Sequence, residues 1–233
     1  MLNEPTMEKL KTMKLNAMAT AWTAQQGQSD LARLAFDERL GLLVDAEWLD
    51  RDNKRMAKLL KDAKLKLPSA CVEDIEYTAK RELDRAIIRQ LASCRWVQEH
   101  QNVLITGMTG TGKTYVACAL AQQACRKGHR VVYRRTSRFL GELALARVDG
   151  TYARHLARLA RAHVLVLDDW AMAPLSETER RDFLEICDER YQTRSTLLTS
   201  QLPVSAWHAQ IGDPTAADSI LDRLVHHAHR IEL

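Results

Sequence analysis

Where a phosphate would sit is marked by one octet, GMTGTGKT, Gly107 to Thr114, which follows the apolar run NVLIT and precedes the helix-like run YVACALAQQACRK. Gly, four residues, Gly, Lys, Thr is the P-loop spacing, in which glycines let the backbone turn so that successive N–H groups and a helix N-terminus converge on phosphate oxygens. The nucleotide-binding set is then Gly107, Met108, Thr109, Gly110, Thr111, Gly112, Lys113 and Thr114. Lys113 is expected to reach the β- and γ-phosphates, and Thr114 to place its hydroxyl on Mg2+. A second acidic signal follows, where the apolar run HVLVLDD closes on Asp168 and Asp169. A carboxylate at the end of a neighbouring strand is what a P-loop needs to hold the metal, which assigns Asp168 with Thr114 to Mg2+ and leaves Asp169 to polarise an attacking water. The alternative for either is the turn or capping role that Asp often takes after a strand. Further on, STLLTSQLP reads as a strand stopped by Pro203, with Ser200 and Gln201 expected exposed at its end near the γ-phosphate, and ILDRLVHHAHRIEL puts Arg223 on a late helix.

These residues need a scaffold, and the text around them alternates. HRVVYRR reads as a strand, TSRFLGELALARV and YARHLARLARA as helices, and PLSETERRDFLEICDERY as a helix opened by a Ser176 and Glu179 capping box. Alternation of this kind predicts an α/β fold, a parallel sheet with helices on both faces. Before residue 70 strand signals are almost absent and apolar residues recur at helical spacing, as in Leu40, Leu43, Val44, Trp48 and Leu49. The division expected is therefore a helical domain over 1–70 and the P-loop domain over 71–233, with Pro68 stopping the last N-terminal helix and a further helical region from Glu73 to Gln98.

Composition narrows the class. With 233 residues, 46% hydrophobic, the chain is long enough for one α/β core and a smaller domain. No apolar run approaches a membrane span, the N-terminus is charged rather than signal-like, and the five cysteines form no Cys-x-x-Cys pair, so a cytoplasmic protein with reduced thiols and no membrane partner is expected. His226, His227 and His229 cluster without further ligands at zinc spacing and read as histidines on a terminal helix or strand edge. The net charge of +4 is unevenly spread: from Arg126 to Arg161 ten Lys/Arg stand against two acids, a local +8 that leaves −4 for the rest. Arg134, Arg135 and Arg138, with Arg154, Arg158 and Arg161 at i, i+4, i+7, form a candidate footprint for a nucleic-acid backbone. Arg51, Arg55 and Lys58 share a face of an N-terminal helix and join the DNA-binding set. A solvated basic face is the alternative.

In this order, and preceded by FDERLGLLVDAEW, the runs GMTGTGKT, VLVLDDW, STLLTSQLPVSAWH and ILDRLVHHAHRIEL resemble the IstB-like transposition helper ATPases, relatives of the DnaC-type helicase loaders in the AAA+ superfamily, over almost the whole chain. The resemblance implies an AAA+ P-loop NTPase behind a small all-helical domain for DNA binding and oligomerisation, with ATP and Mg2+ as cofactors. The function implied is ATP-dependent self-assembly on double-stranded DNA, largely sequence-independent, to select insertion sites for a partner transposase. Residue by residue, Lys113 and Thr114 match the Walker A pair, Asp168 the Walker B ligand, and Arg223 the arginine finger offered to a neighbouring subunit. Asp169 stands where many AAA+ proteins have glutamate, which implies slow hydrolysis, and Gln201 falls at a sensor position where related loaders carry asparagine. The family continues beyond the position of Leu233 into a basic tail with a second sensor arginine, so a truncated lid is expected. Three alternatives stay open: a DnaC-type helicase loader, a small-molecule P-loop kinase, and a nucleotide-gated scaffold with little turnover.

Overall fold

The computed structural model describes residues 3–28, 31–77 and 83–233. The chain divides into two compact units, Met1–Lys58 and Leu59–Leu233. The first is helical: α1 (Asn3–Thr12), α2 (Asn16–Gln26) and the long α3 (Phe36–Ala63), which runs on into the second unit. α2 has Leu15 at its N-cap and so lacks a local side-chain cap. Glu47 of α3 supplies one instead, accepting from the backbone N–H of Ala17 at 3.0 Å and of Met18 at 3.1 Å. Arg51, bonded to the same carboxylate, and those two N–H groups hold Glu47 below the usual carboxylate range. Phe36, Leu40, Val44 and Trp48, spaced one turn apart along α3, are exposed. Pro68 does not end this helix as expected. Lys64 takes a φ of 53°, a left-handed stop, and the chain has already left helical geometry when the proline arrives.

The stretch expected to be helical from Glu73 to Gln98 is interrupted: a single 3-10 turn at Val72–Asp74, then α4 (Arg85–Ala92) and α5 (Arg95–Gln98), with residues 78–82 outside the described set. Asp84 caps α4 through the Ala86 N–H, and Cys94, at φ 62°, breaks the path between the two helices. From there strands and helices alternate: β1 (Asn102–Thr106), α6 (Lys113–Arg126), β2 (Val131–Arg135), α7 (Thr136–Val148), α8 (Tyr152–Ala160), β3 (Val164–Trp170), α9 (Glu177–Arg190), β4 (Ser195–Ser200), α10 (Trp207–Ile211), α11 (Pro214–Val225) and β5 (Ala228–Glu232). The Ser176 capping box opens α9 as the sequence indicated.

All five strands are parallel, in the order β2-β3-β4-β1-β5. Residue alternation sorts the core into two layers. Val103, Ile105, Val164, Val166 and Leu197 pack with the α6 alanines and cysteines on one face, while Leu104, Leu165, Leu167 and Leu198 pack with α7, α9 and α11 on the other. Cys94, Cys118, Cys125 and Cys187 are buried free thiols. β5 has little local signal of its own, since AHRIE carries one buried apolar residue and owes its conformation to pairing with β1; of the two readings of the histidine stretch, strand edge is the one that His229 takes. Among the described residues no helix is long and apolar enough to cross a membrane. One consequence of the strand order governs the site: β4 lies between the strand that leads into the P-loop and the strand that ends in the two aspartates.

Candidate active site

At the end of β1 the chain turns through the glycine octet and enters α6 at Lys113. Gly107 sits at φ 146°, and a Cβ there would lie 2.1 Å from the Leu233 carbonyl oxygen, so only glycine fits. Gly112, the N-cap of α6, sits at φ 96° with nothing within 4 Å of the position a Cβ would take, leaving the helix N-terminus open to an anion. Met108, Thr109 and Gly110 are exposed at the loop tip, and Thr111 bonds back to the Met108 carbonyl at 2.9 Å. Lys113 is buried, and its Nζ donates to the same carbonyl at 2.6 Å. Burial lowers the Lys113 pKa, and the nearby Asp169 and Asp168 charges act against that shift.

Asp168 is the centre of the polar network. Its carboxylate is fully buried and accepts from Thr114 Oγ1 at 2.9 and 3.1 Å, from Thr199 Oγ1 at 2.6 Å and from Tyr133 Oη at 2.7 Å. Burial, then the bond to Asp168, pushes the Tyr133 phenol well up, so it stays a donor. The Asp168 carbonyl in turn accepts from Thr136 Oγ1 at 3.0 Å. The P-loop, β2, β3 and β4 thus meet at one carboxylate. Thr114 and Asp168 are hard oxygen donors side by side, and among the described residues no group of three His, Cys, Asp or Glu that could hold a metal ion is found. That donor set fits Mg2+, which binds through one or two carboxylates and takes further ligands from substrate phosphates.

Asp169 is set apart by a bulge. The β3–β4 register shifts between Leu167 and Trp170, and Asp169 takes a φ of 59°, an uncommon conformation that Asp tolerates better than most residues. Its N–H donates to Thr199 Oγ1 at 3.0 Å, and its carboxylate accepts from Arg135 Nε at 2.9 Å. A single hydroxyl, that of Thr199, therefore touches both aspartates. Thr199 lies one residue before the strand-end pair, Ser200 and Gln201, that the sequence points to. Ser200, expected exposed, is fully buried: its Oγ donates to the Trp170 carbonyl and ties β4 to β3, because a central strand is covered on both faces. Gln201 lies just past the strand and is half-buried.

Arg223 stands at the other end of the sheet. Asn102, at the start of β1, donates to the Arg223 and Leu224 carbonyls, closing the C-terminus of α11. The P-loop begins five residues further on, about 16 Å away along an extended strand. The Arg223 guanidinium pairs with Asp188, donates to the Ser219 carbonyl at 2.7 Å and lies 6.0 Å from the Tyr191 ring. Tyr191, Arg194, Arg223, His226 and His227 border a cavity of about 260 Å³ there.

The basic residues fall in three groups, beside β2, on α8 and on α3. Arg134 bonds Glu142 at 3.1 Å, Arg135 is held by Asp169, and Arg138 lies 3.9 Å from Glu142. With Lys64 these three arginines border a cavity of about 270 Å³. Arg154 and Arg158 are exposed on α8, and Arg161 is exposed at its C-cap. On α3, Arg51 is engaged by Glu47, while Arg55 and Lys58 are exposed.

Residues 8–233 match the family described as IstB-like ATP binding protein. An insertion sequence ATP-binding protein of Sinorhizobium fredii, y4pL, is 48% identical over 233 residues, all of this chain and 95% of that one. The insertion sequence IS1162 ATP-binding protein of Pseudomonas fluorescens is 48% identical over 209 residues, 88% of this chain and 89% of its own. Among solved structures, the DnaC helicase loader superposes with a TM-score of 0.60 at 21% identity, over 70% of this chain and 96% of that one, a likeness of fold.

Proposed function

Because the chain belongs to the IstB-like ATP-binding protein family of AAA+ ATPases, we propose that it is the helper ATPase of an insertion sequence, which assembles on duplex DNA when ATP is bound and presents that DNA to a transposase. The observation that carries the ATPase half is the linkage of Thr114, Asp168, Thr199 and Asp169 in one hydrogen-bonded set beside an open helix N-terminus. Lys113 leaves the Met108 carbonyl for the β- and γ-phosphates. Thr114 and Asp168 would hold Mg2+, which would offset phosphate charge. Asp169 takes a proton from the attacking water at a carboxylate oxygen, once Arg135 has released that oxygen. Arg223 serves the nucleotide of a neighbouring subunit, since it stands a strand's length from its own P-loop.

Support for the DNA half is electrostatic: the exposed arginines of α8 and the basic cavity beside β2 suit a phosphate backbone. The exposed stripe of Phe36, Leu40, Val44 and Trp48 is apolar surface of the kind that self-association covers. The protein works in the cytoplasm on this reading, with the helical unit Met1–Lys58 for DNA and assembly and the unit Leu59–Leu233 for ATP. Electron microscopy of the chain with long duplex DNA and ATP, with Lys113→Ala as control, tests it. Assemblies that need both ligands and the lysine are expected. Assembly on a replicative helicase instead, without DNA, would favour a loader.

A further inference from the structure

Asp168 accepts three hydroxyl donors, all from the P-loop and the sheet, and one cation from elsewhere. Lys66 Nζ lies 3.8 Å from Asp168 Oδ2. Lys66 belongs to the segment between α3 and the turn at Val72–Asp74, and its side chain is 52% exposed while the carboxylate is 0% exposed. A buried carboxylate needs compensating charge as well as hydrogen bonds. Among the described residues Lys66 is the one cation within 4.0 Å that supplies it.

The segment that carries Lys66 is anchored. Ala63, Leu65 and Ala70 are buried in the core beside α6, so the backbone is held and only the lysine side chain is free to swing. A magnesium ion on an Asp168 oxygen would lie about 2.1 Å from it. The ammonium, on the same carboxylate, would then face a divalent charge a few ångströms away, a like-charge repulsion that solvent at the half-exposed lysine screens in part. Either cation on Asp168 would then disfavour the other.

We propose that Lys66 competes with magnesium for Asp168 and so sets the magnesium concentration at which the site loads nucleotide. Lys66 is a positioning residue in this role, acting through the carboxylate. The proposal rests on the reading of Asp168 as the magnesium ligand. It has a sign. Removing the ammonium makes magnesium easier to bind, whereas removing a lysine that grips phosphate would make nucleotide harder to bind.

The test is a titration of MgCl2 into full-length protein with a fluorescent ATP analogue at fixed concentration, read by anisotropy, for wild type, Lys66→Gln and Lys66→Arg. The half-saturating magnesium concentration is expected to fall about two- to fivefold in the glutamine variant, the scale of a part-exposed ion pair, and to stay at the wild-type value with arginine. Thermal melting with MgCl2 alone should show the glutamine variant gaining more from magnesium than wild type. A glutamine variant with unchanged or higher magnesium demand overturns the competition while leaving the ATP site standing. A wild type that binds the analogue at no magnesium concentration overturns the ATP-site reading and the competition with it.

Discussion

Thr199→Val is the substitution that asks most of this site, because valine keeps the shape of threonine and removes one hydroxyl. That hydroxyl donates to Asp168 Oδ1 at 2.6 Å and accepts from the Asp169 N–H at 3.0 Å, and Thr199 is 0% exposed. A hydrogen bond to a charged group contributes about 1.5–3 kcal/mol, and a buried N–H left without a partner costs about 1–3 kcal/mol. Tyr133 and Thr114 still serve Asp168, which offsets part of the loss. A net destabilisation of about 3 kcal/mol follows, or roughly 6–12 °C in Tm for a domain of this size. The Asp169 backbone also loses the contact that holds its bulge, so turnover should drop by at least about tenfold, as small misplacements of a reacting group commonly cost. Thr199→Ser restores the hydroxyl and should recover most of both. Differential scanning calorimetry and phosphate release on the three proteins decide it. A valine variant that melts within about 2 °C of wild type and keeps its turnover would refute the bridging role.

Other outcomes follow from the same geometry. Asp169→Asn should bind ATP normally and release phosphate more slowly, while Arg135→Ala, which frees the Asp169 carboxylate, should raise DNA-free turnover about two- to fivefold; a fall would mean that Arg135 aims the carboxylate. Mixing Arg223→Ala with Lys113→Ala protein should restore part of the phosphate release that each lacks alone, one subunit keeping the pocket and the other the arginine, and no restoration at any ratio would count against a shared site. Replacing Arg154, Arg158 and Arg161 together by Ala should weaken binding to every duplex alike and flatten the log-log salt dependence by up to about 3, with ATP binding intact; an unchanged slope would move DNA contact to other residues.

Much of the scaffold could be read locally. The P-loop, the start of α6 at Lys113, the extent of α7 and the capping box of α9 each depend on residues within a few positions of one another, so spacing alone announces them. The resemblance carried the family on the same kind of contiguous text. Elements whose cause lies elsewhere were left open or misjudged. β5 is a strand because β1 offers it a ladder, and α3 stops at Lys64 rather than at the proline expected to stop it. Ser200 looked exposed because a strand end usually is, yet β4 is central and continues into contact with Trp170.

The site divides along the same line. Residue types and spacing singled out Gly107 to Thr114, Asp168 and Asp169, because a phosphate cradle and a paired acid at a strand end have local signatures. That Thr199, Tyr133 and Lys66 join Thr114 at Asp168 is a property of strand order and burial, the two further hydroxyls lying 31 and 35 residues distant. The same holds for the Arg135 bond to Asp169, 34 residues away, and for the separation of Arg223 from its own P-loop. Backbone conformation and short motifs are set by neighbours in the chain. Which side chains share a buried charge is set by which strands lie adjacent, and that is decided only when the sheet closes.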